Sequence, residues 1–231
     1  MKPVLTLIVL LNSAALDARS QPMKQELQEK LATVKASVAQ NQAALRGYTW
    51  TEHTVIALKG EVKKTKDENC RYGPDGKVQK TEVGQPAPQK EMRRMKKRVV
   101  EKKVGELTDY MDRAAALIKN YVPPSADAMQ AAFQGGKASL GQAGPGSIQL
   151  QFRDYVKAGD SLVFTFDSAS KVLRKLDVNS FLDDPSDIVK LDVNFQTLPD
   201  GTNYVATTVL NAPAKQVQVT TNSASYQKLA Q

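Results

Sequence analysis

The residues best suited to chemistry are the only histidine and the only cysteine, His53 and Cys70. A cysteine beside a histidine can form a nucleophilic dyad in which the imidazole takes the thiol proton. Both residues fall in predicted neighbouring strands, so the geometry permits a dyad between the two strands. A dyad also needs an orienting third group and an oxyanion hole, and no motif supplies either. We therefore favour an inert thiol and a surface histidine, and we predict that the chain is not an enzyme.

An acidic run at positions 183–187, Asp-Asp-Pro-Ser-Asp, offers carboxylates for calcium. The run lacks the ligand spacing and the terminal glutamate of a calcium loop. Aspartate before proline is typical of a turn between two strands. We therefore expect no metal and no cofactor.

The segment Lys90–Lys103 holds eight basic and two acidic residues, whereas the net charge of the whole chain is +8. Such a run is compatible with a solvated helix face, with contact to an anionic membrane surface, or with nucleic acid. No aromatic residues are interleaved for base stacking, so we expect no nucleic-acid partner. The candidate contacts to an anionic surface are Arg93, Arg94, Lys96, Lys97 and Arg98.

The first twenty residues have the three parts of a secretory signal peptide. Lys2 supplies the positive start, residues 4–11 are apolar apart from Thr6, and Ala18-Arg19-Ser20 precedes a cleavage site before Gln21. The apolar run is shorter than the roughly 20 residues of a membrane-spanning helix. No cysteine lies near the cleavage site to accept a lipid. We predict export to the periplasm without lipidation, leaving residues 21–231 as one domain.

The spacing of apolar residues predicts three helices. The first covers 22–45 and ends at Arg46-Gly47. After a Pro-rich linker at 84–88, the second carries the basic segment and an apolar face that extends to Tyr121, and Pro123-Pro124 stops it. The third is short, with Ser125 as N-cap, and closes at Gly135-Gly136. Residues 141–146, which hold three glycines, are predicted to be a flexible connection.

The remaining segments alternate with a period of two, which predicts strands. Tyr48–Val83 is predicted to be a three-stranded meander, and strands follow at 148–152, 162–166, 172–178, 189–195, 204–210 and 217–221. Short strands separated by turns favour an antiparallel sheet. The predicted fold is α+β, a long curved antiparallel sheet in the form of an incomplete β-barrel, with amphipathic helices packed on its concave face.

Six aromatic residues on these strands could line a hollow that holds an acyl chain. The same residues could instead fill a closed core, and the sequence leaves both interpretations open. The candidate cavity residues are Tyr48, Trp50, Phe152, Phe164, Phe166 and Phe195.

The order of these segments resembles the periplasmic lipoprotein carrier (LolA/LolB-like) superfamily. The C-terminal stretches that carry the likeness are Phe164-Thr165-Phe166-Asp167, Val172-Leu173-Arg174-Lys175-Leu176, Leu198-Pro199-Asp200-Gly201-Thr202 and Tyr204-Val205-Ala206. The resemblance implies an incomplete barrel, lidded by helices, whose hollow takes lipid or lipoprotein acyl chains. It assigns no individual functional residue.

Two functions are thus predicted for a monomer. The first is an exported carrier or binding protein for an apolar ligand, with a lipid or lipoprotein as partner. The alternative is a non-catalytic envelope protein that docks on anionic surfaces through the basic helix at 90–103.

Overall fold

The computed structural model describes residues 39–84 and 94–229, together with helical positions at 28, 29, 32 and 36. The predicted signal peptide and most of the predicted linker at 84–88 lie outside the described residues. Two compact units divide the chain, Met1–Gln40 and Asn41–Gln231, and the account below concerns the second. Every described position within 22–45 is helical, and residues 39–45 are labelled α1.

Within the described residues, ten strands form one antiparallel sheet. The strands are β1 Tyr48–Leu58, β2 Glu61–Tyr72, β3 Val78–Val83, β4 Ala138–Gly144, β5 Ser147–Arg153, β6 Ser161–Asp167, β7 Leu173–Phe181, β8 Ile188–Thr197, β9 Asn203–Ala212 and β10 Val217–Lys228. Their order is β3-β2-β1-β10-β9-β8-β7-β6-β5-β4, so the last strand inserts beside the first and the sheet stays open. The predicted α+β class with one long curved antiparallel sheet, not closed into a barrel, is confirmed.

Two predicted boundaries are wrong. The stretch 141–146 is not a loose connection, because residues 141–144 belong to β4 and pair with β5. Gly144 and Gly146 have φ angles of 132° and 72°, which L side chains rarely adopt, so these glycines form the turn of the hairpin. The last strand was expected to end at Thr221 but continues to Lys228. The second half of this strand is polar, so it lacks the alternation of apolar residues from which a strand is predicted.

Two further helices follow β3 in the chain: α2, Arg94–Ile118, and α3, Ala126–Gln134. The predicted caps of α3 are confirmed, since the Ser125 hydroxyl accepts a hydrogen bond from the Ala128 N–H at 3.2 Å and Gly135 closes the helix. Helix α2 ends at Ile118, three residues before the predicted end at Tyr121.

Alternate strand residues from β4 to β9 form an apolar face, called here the inner face. Its most buried members include Leu150, Phe152, Leu162, Phe164, Leu176, Val178, Val189, Leu191 and Val193. Helix α3 packs on β4 and β5. On α2, Tyr110 packs with Ala212 and Val217, at the adjoining ends of β9 and β10. This burial of apolar area is the main source of stability.

A buried polar cluster fixes the segment that follows α2 to the sheet. The Asp160 carboxylate, 3% exposed, accepts hydrogen bonds from the Tyr121 hydroxyl at 2.5 Å and from the N–H groups of Tyr155, Val156 and Lys157 at 2.6, 3.0 and 2.8 Å. The Tyr121 hydroxyl also lies 2.8 Å from the Ser180 Oγ. Burial, followed by the bond to Asp160, raises the pKa of Tyr121 above its usual range. The Asp160 carboxylate and the Tyr121 hydroxyl thus join the segment after α2, the β5–β6 turn and β7.

Asp160→Asn should destabilise the fold by about 3 kcal/mol, because an amide nitrogen cannot accept the bonds that a charged, buried carboxylate accepts. Urea unfolding followed by circular dichroism would measure the loss. Asp154→Asn is the matched control, since Asp154 lies on the same turn but has a 41% exposed side chain, which accepts the Gly159 N–H at 2.8 Å and lies 3.8 Å from Lys137 Nζ. Equal midpoints for Asp160→Asn and the wild type would contradict this role.

Candidate functional site

The inner face changes character on β1, β2, β3 and β10, where aromatic and charged side chains replace the aliphatic ones. Here a cleft of about 320 Å³ opens, called the aromatic cleft. It is lined by Leu45, Trp50, Glu52, Tyr72, Val78, Lys80, Val205, Thr208, Thr221, Ser223 and Tyr226. That volume lies at the lower end of the range for small-molecule sites.

The rings in this region pack against one another. Trp50 stacks on Tyr226 with centroids 5.5 Å apart and planes 7° apart, and Tyr72 lies 5.4 Å from Trp50. Tyr204 and Tyr48 extend the cluster, at 4.4 and 6.4 Å from Tyr226. Because the rings come from β1, β2, β9 and β10, the cluster joins the first two strands of the sheet to the last two and forms a wall of the cleft.

A ladder of charges lies beside the rings. Glu52, Glu68 and Glu82 are direct neighbours across β1, β2 and β3. The side chains of Glu52 and Glu68 are only 11% and 9% exposed. Like charges placed directly opposite each other repel, so this row requires interleaved cations.

Two lysines supply those cations. Lys66 Nζ lies 2.7 Å from Glu68, and Lys80 bonds to Glu52 and lies 4.0 Å from Glu68. Burial is the largest single influence and disfavours the charge on Lys80, but the bond to Glu52 and the nearby charges of Glu52 and Glu68 together raise the pKa of Lys80. The second Glu52 oxygen accepts the Trp50 indole N–H at 2.9 Å. The cleft therefore presents the Lys80–Glu52 ion pair, and the Trp50 ring in the cleft wall holds the Glu52 carboxylate in place.

The structure separates His53 and Cys70. Cys70 pairs with Trp50 and is 2% exposed on the inner face, whereas His53 is three residues further along β1 and lies on the opposite, outer face. His53 Nδ1 is 2.7 Å from Asp67. Burial, followed by the nearby Glu52 charge, raises the pKa of Cys70 to about 12. A Cys70–His53 dyad therefore does not form.

The Cys70 thiol should resist Ellman's reagent in the folded protein at pH 8. With a pKa of about 12, about one thiol in ten thousand is ionised, against about a quarter for an ordinary cysteine. Full reaction is expected in concentrated guanidinium chloride. Thr51→Cys places a second thiol on the exposed outer face of β1 and should react at once. Rapid labelling of the native wild type would show that Cys70 is accessible.

The six predicted cavity residues fall into separate groups. Tyr48 and Trp50 belong to the ring cluster beside the aromatic cleft. Phe152, Phe164 and Phe166 form a second cluster with Tyr155, and Phe152 and Phe164 are each 1% exposed. Phe195 is half-buried on β8. Strands β1 and β6 are five places apart in the sheet, about 24 Å at ~4.8 Å per strand.

Sequence reasoning missed four residues that shape the cleft: Glu52, Tyr72, Lys80 and Tyr226. Glu52 is two residues from Trp50, and the period of two in a strand already predicted that both side chains lie on the same face of β1. Tyr72 and Tyr226 lie in polar strand ends, and only the pairing of β1 with both β2 and β10 brings them together.

A second, larger depression of about 540 Å³ lies on the outer face of the same strands. Its lining is mainly neutral and polar: Thr49, Thr51, Asn69, Arg71, Gln79, Thr81, Ser225 and Gln227, together with Trp50 and Cys70. The aromatic cleft is the better site for an apolar group, because its walls are rings and valines.

The turn between β8 and β9 holds one margin of the ring cluster. Asp200 accepts a hydrogen bond from the Tyr48 hydroxyl at 2.5 Å and lies 3.3 Å from Lys228 Nζ. The bond from Tyr48 is the main reason why the pKa of Asp200 lies well below its usual value. Asn203, the first residue of β9, donates its N–H to the Asn41 side chain at 2.7 Å and so also holds α1.

The acidic run at 183–187 is used for structure. The Tyr110 hydroxyl donates to Asp187 at 2.6 Å, and Arg113 pairs with Asp183, so the run anchors α2. Asp184 accepts the Ser186 hydroxyl and N–H at 2.6 and 2.8 Å, which lowers its pKa and forms a turn. Within 39–84 and 94–229, no three His, Cys, Asp or Glu side chains are grouped to hold a metal.

Of the five predicted surface contacts, Arg93 lies outside the described residues. Arg94, Lys96, Lys97 and Arg98 lie in the first turns of α2, where the backbone is helical. Among the described helices, none combines the length and the apolar content needed to cross a bilayer.

No family model matches the chain, and no curated protein matches it. A structural match is the crystal structure of a DUF1329 family protein from Desulfovibrio piger, with a TM-score of 0.40 and 9% sequence identity. The match covers 87% of this chain and 92% of that one. A similarity at this level carries no argument about a ligand or an activity.

Proposed function

We propose that this chain is an exported, non-enzymatic binding protein of the cell envelope that takes the apolar part of an amphiphilic ligand, such as a lipid or lipoprotein acyl chain, into the aromatic cleft. The observation that carries the proposal is the wall of Trp50, Tyr72 and Tyr226 around a space of about 320 Å³. Rings and valines offer an apolar surface there, and a few polar groups at its edge would orient a ligand.

The polar end of such a ligand would meet Lys80 and the hydroxyl groups of Thr208, Thr221 and Ser223, which line the same cleft. The Lys80 side chain is 42% exposed, so its ammonium can reach a ligand without leaving Glu52. The buried Phe152–Phe164 cluster is a poorer candidate site, because a ligand there would have to displace core side chains.

We propose binding without catalysis because Cys70 and His53 are not placed to form a nucleophilic dyad. The one thiol is buried and protonated, and the one histidine lies on the opposite face of β1. The proposal also rests on the predicted signal peptide and on the sequence resemblance to lipoprotein carriers. Docking on anionic surfaces through Arg93, Arg94, Lys96, Lys97 and Arg98 stays a prediction from the sequence alone.

Trp50 is the only tryptophan, so its fluorescence reports on the cleft directly. Titration with 11-bromoundecanoate below its micellar concentration should quench the emission saturably, because the bromine would lie in contact with the ring. Undecanoate should not quench but should compete. Val205→Phe fills the cleft and should weaken binding by roughly tenfold, equivalent to about 1.4 kcal/mol.

Val209→Phe is the matched control, since Val209 lies on the same strand but pairs with Thr220 and Asp192 on the outer face. It should bind as the wild type does. An absence of saturable quenching, or equal weakening by both variants, would reject the aromatic cleft as the site.

Export can be tested on the full chain in a bacterial host. The mature protein should appear in the periplasmic fraction with Gln21 as its first residue. Replacing Leu7 and Ile8 by Arg breaks the apolar run and should leave the full-length chain in the cytoplasm. Recovery of the wild type from the cytoplasm with Met1 intact would contradict the predicted signal peptide.

A further inference from the structure

The open sheet has two edge strands, β3 and β4, and within the described residues no strand pairs with the outer side of either. The two edges differ in chemistry. β3 carries Lys80 and Glu82, and charged side chains are the usual protection of an edge strand against pairing with another chain. β4, with the sequence Ala-Ser-Leu-Gly-Gln-Ala-Gly, has no charge and no proline. β4 is therefore the unprotected edge.

The backbone of β4 has a regular row of unpaired groups. The Arg153 N–H donates to the Lys137 carbonyl at 2.9 Å, which fixes the alternation of the ladder that follows. In an antiparallel pair, successive residues point their N–H and C=O alternately toward and away from the partner strand. Residues 138, 140 and 142 therefore direct both groups away from β5, where they can pair with a further strand.

We propose that β4 pairs antiparallel with β4 of a second copy of this chain, about a two-fold axis at Gly141. Residues 138, 140 and 142 can bond to the second copy only if they lie opposite residues of the same set there. An axis at Gly141 meets this condition, because Leu140 then exchanges two hydrogen bonds with Gln142 of the second copy. Gly141 then faces Gly141 of the second copy. The two sheets join edge to edge.

The occupant is a second copy because β4 is complementary to itself. Residues 138–140 are half-buried on the side where α3 packs, whereas residues 141–144 are exposed. Antiparallel pairing lays the exposed end of each strand beside the half of the other that α3 covers. With no charge on β4, no like charges meet across the axis.

The assembly should stop at two copies. A two-fold interface uses the same edge of both chains, so no β4 edge is left over. The remaining edges are the charged β3 strands. The contact is small, which predicts a weak dimer in place of the monomer expected from the sequence, with a dissociation constant in roughly the micromolar to millimolar range.

Gly141→Cys tests the register. Gly141 does not have a positive φ, and a Cβ added there would meet no atom within 4 Å, so the Gly141→Cys variant should fold. Residues that face each other without hydrogen bonds have Cα atoms about 4.5 Å apart, which suits a disulfide. Mild oxidation should give a cross-linked dimer, whereas Thr81→Cys on β3 should stay monomeric because β3 is the charged edge. The buried Cys70 does not interfere.

Sedimentation velocity over a range of concentrations tests the edge itself. Gln142→Lys puts a charge on β4 and should weaken association at least tenfold. Gln79→Lys makes the same change at an exposed position of β3 and should leave association as in the wild type. Thermal unfolding would confirm that both variants fold. A wild type that stays monomeric up to millimolar concentration, or equal effects of the two variants, would overturn the proposal.

Discussion

An open sheet of ten strands has one broad apolar face that must be shielded from water, and a helix shields only the strands on which it packs. In the described residues, α3 covers β4 and β5, and α2 lies over the adjoining ends of β9 and β10. At the other end of the sheet, among the described residues, Trp50, Tyr72 and Tyr226 lie against one another, and Leu45 of α1 lines the cleft beside them. The aliphatic core lies toward the end of the sheet where α3 packs, and the aromatic cleft lies toward the other end.

The charged ladder follows from the same constraint. A carboxylate as buried as Glu52 or Glu68 is costly unless a cation and a hydrogen-bond donor meet it, and removing one partner of such a pair costs far more than an exposed pair is worth. Lys80 contacts both glutamates, and the Trp50 indole N–H satisfies Glu52. The ring that makes the cleft apolar thus also fixes its nearest charge. Trp50 therefore contributes to both the packing and the polarity of the site.

The periodicity of the sequence was enough to predict the antiparallel sheet, because Leu162, Phe164 and their neighbours alternate strictly over a buried face. It failed where alternation is absent. β4 is rich in glycine, and its strand state comes from pairing with β5. The site was predictable only in part, since Trp50 and Glu52 share a strand face in the sequence. Lys80 joins them only through the register of β1, β2 and β3, which no local pattern encodes.

The aromatic cleft and the unprotected edge lie at opposite ends of the sheet. β1 and β4 are seven places apart, about 34 Å at ~4.8 Å per strand. Joining two copies through β4 would therefore leave both clefts open and bury none of the rings around Trp50. A ligand in the cleft would in turn leave the backbone of β4 untouched. Ligand binding and pairing of the chains are then separate properties of this fold, and neither needs the other.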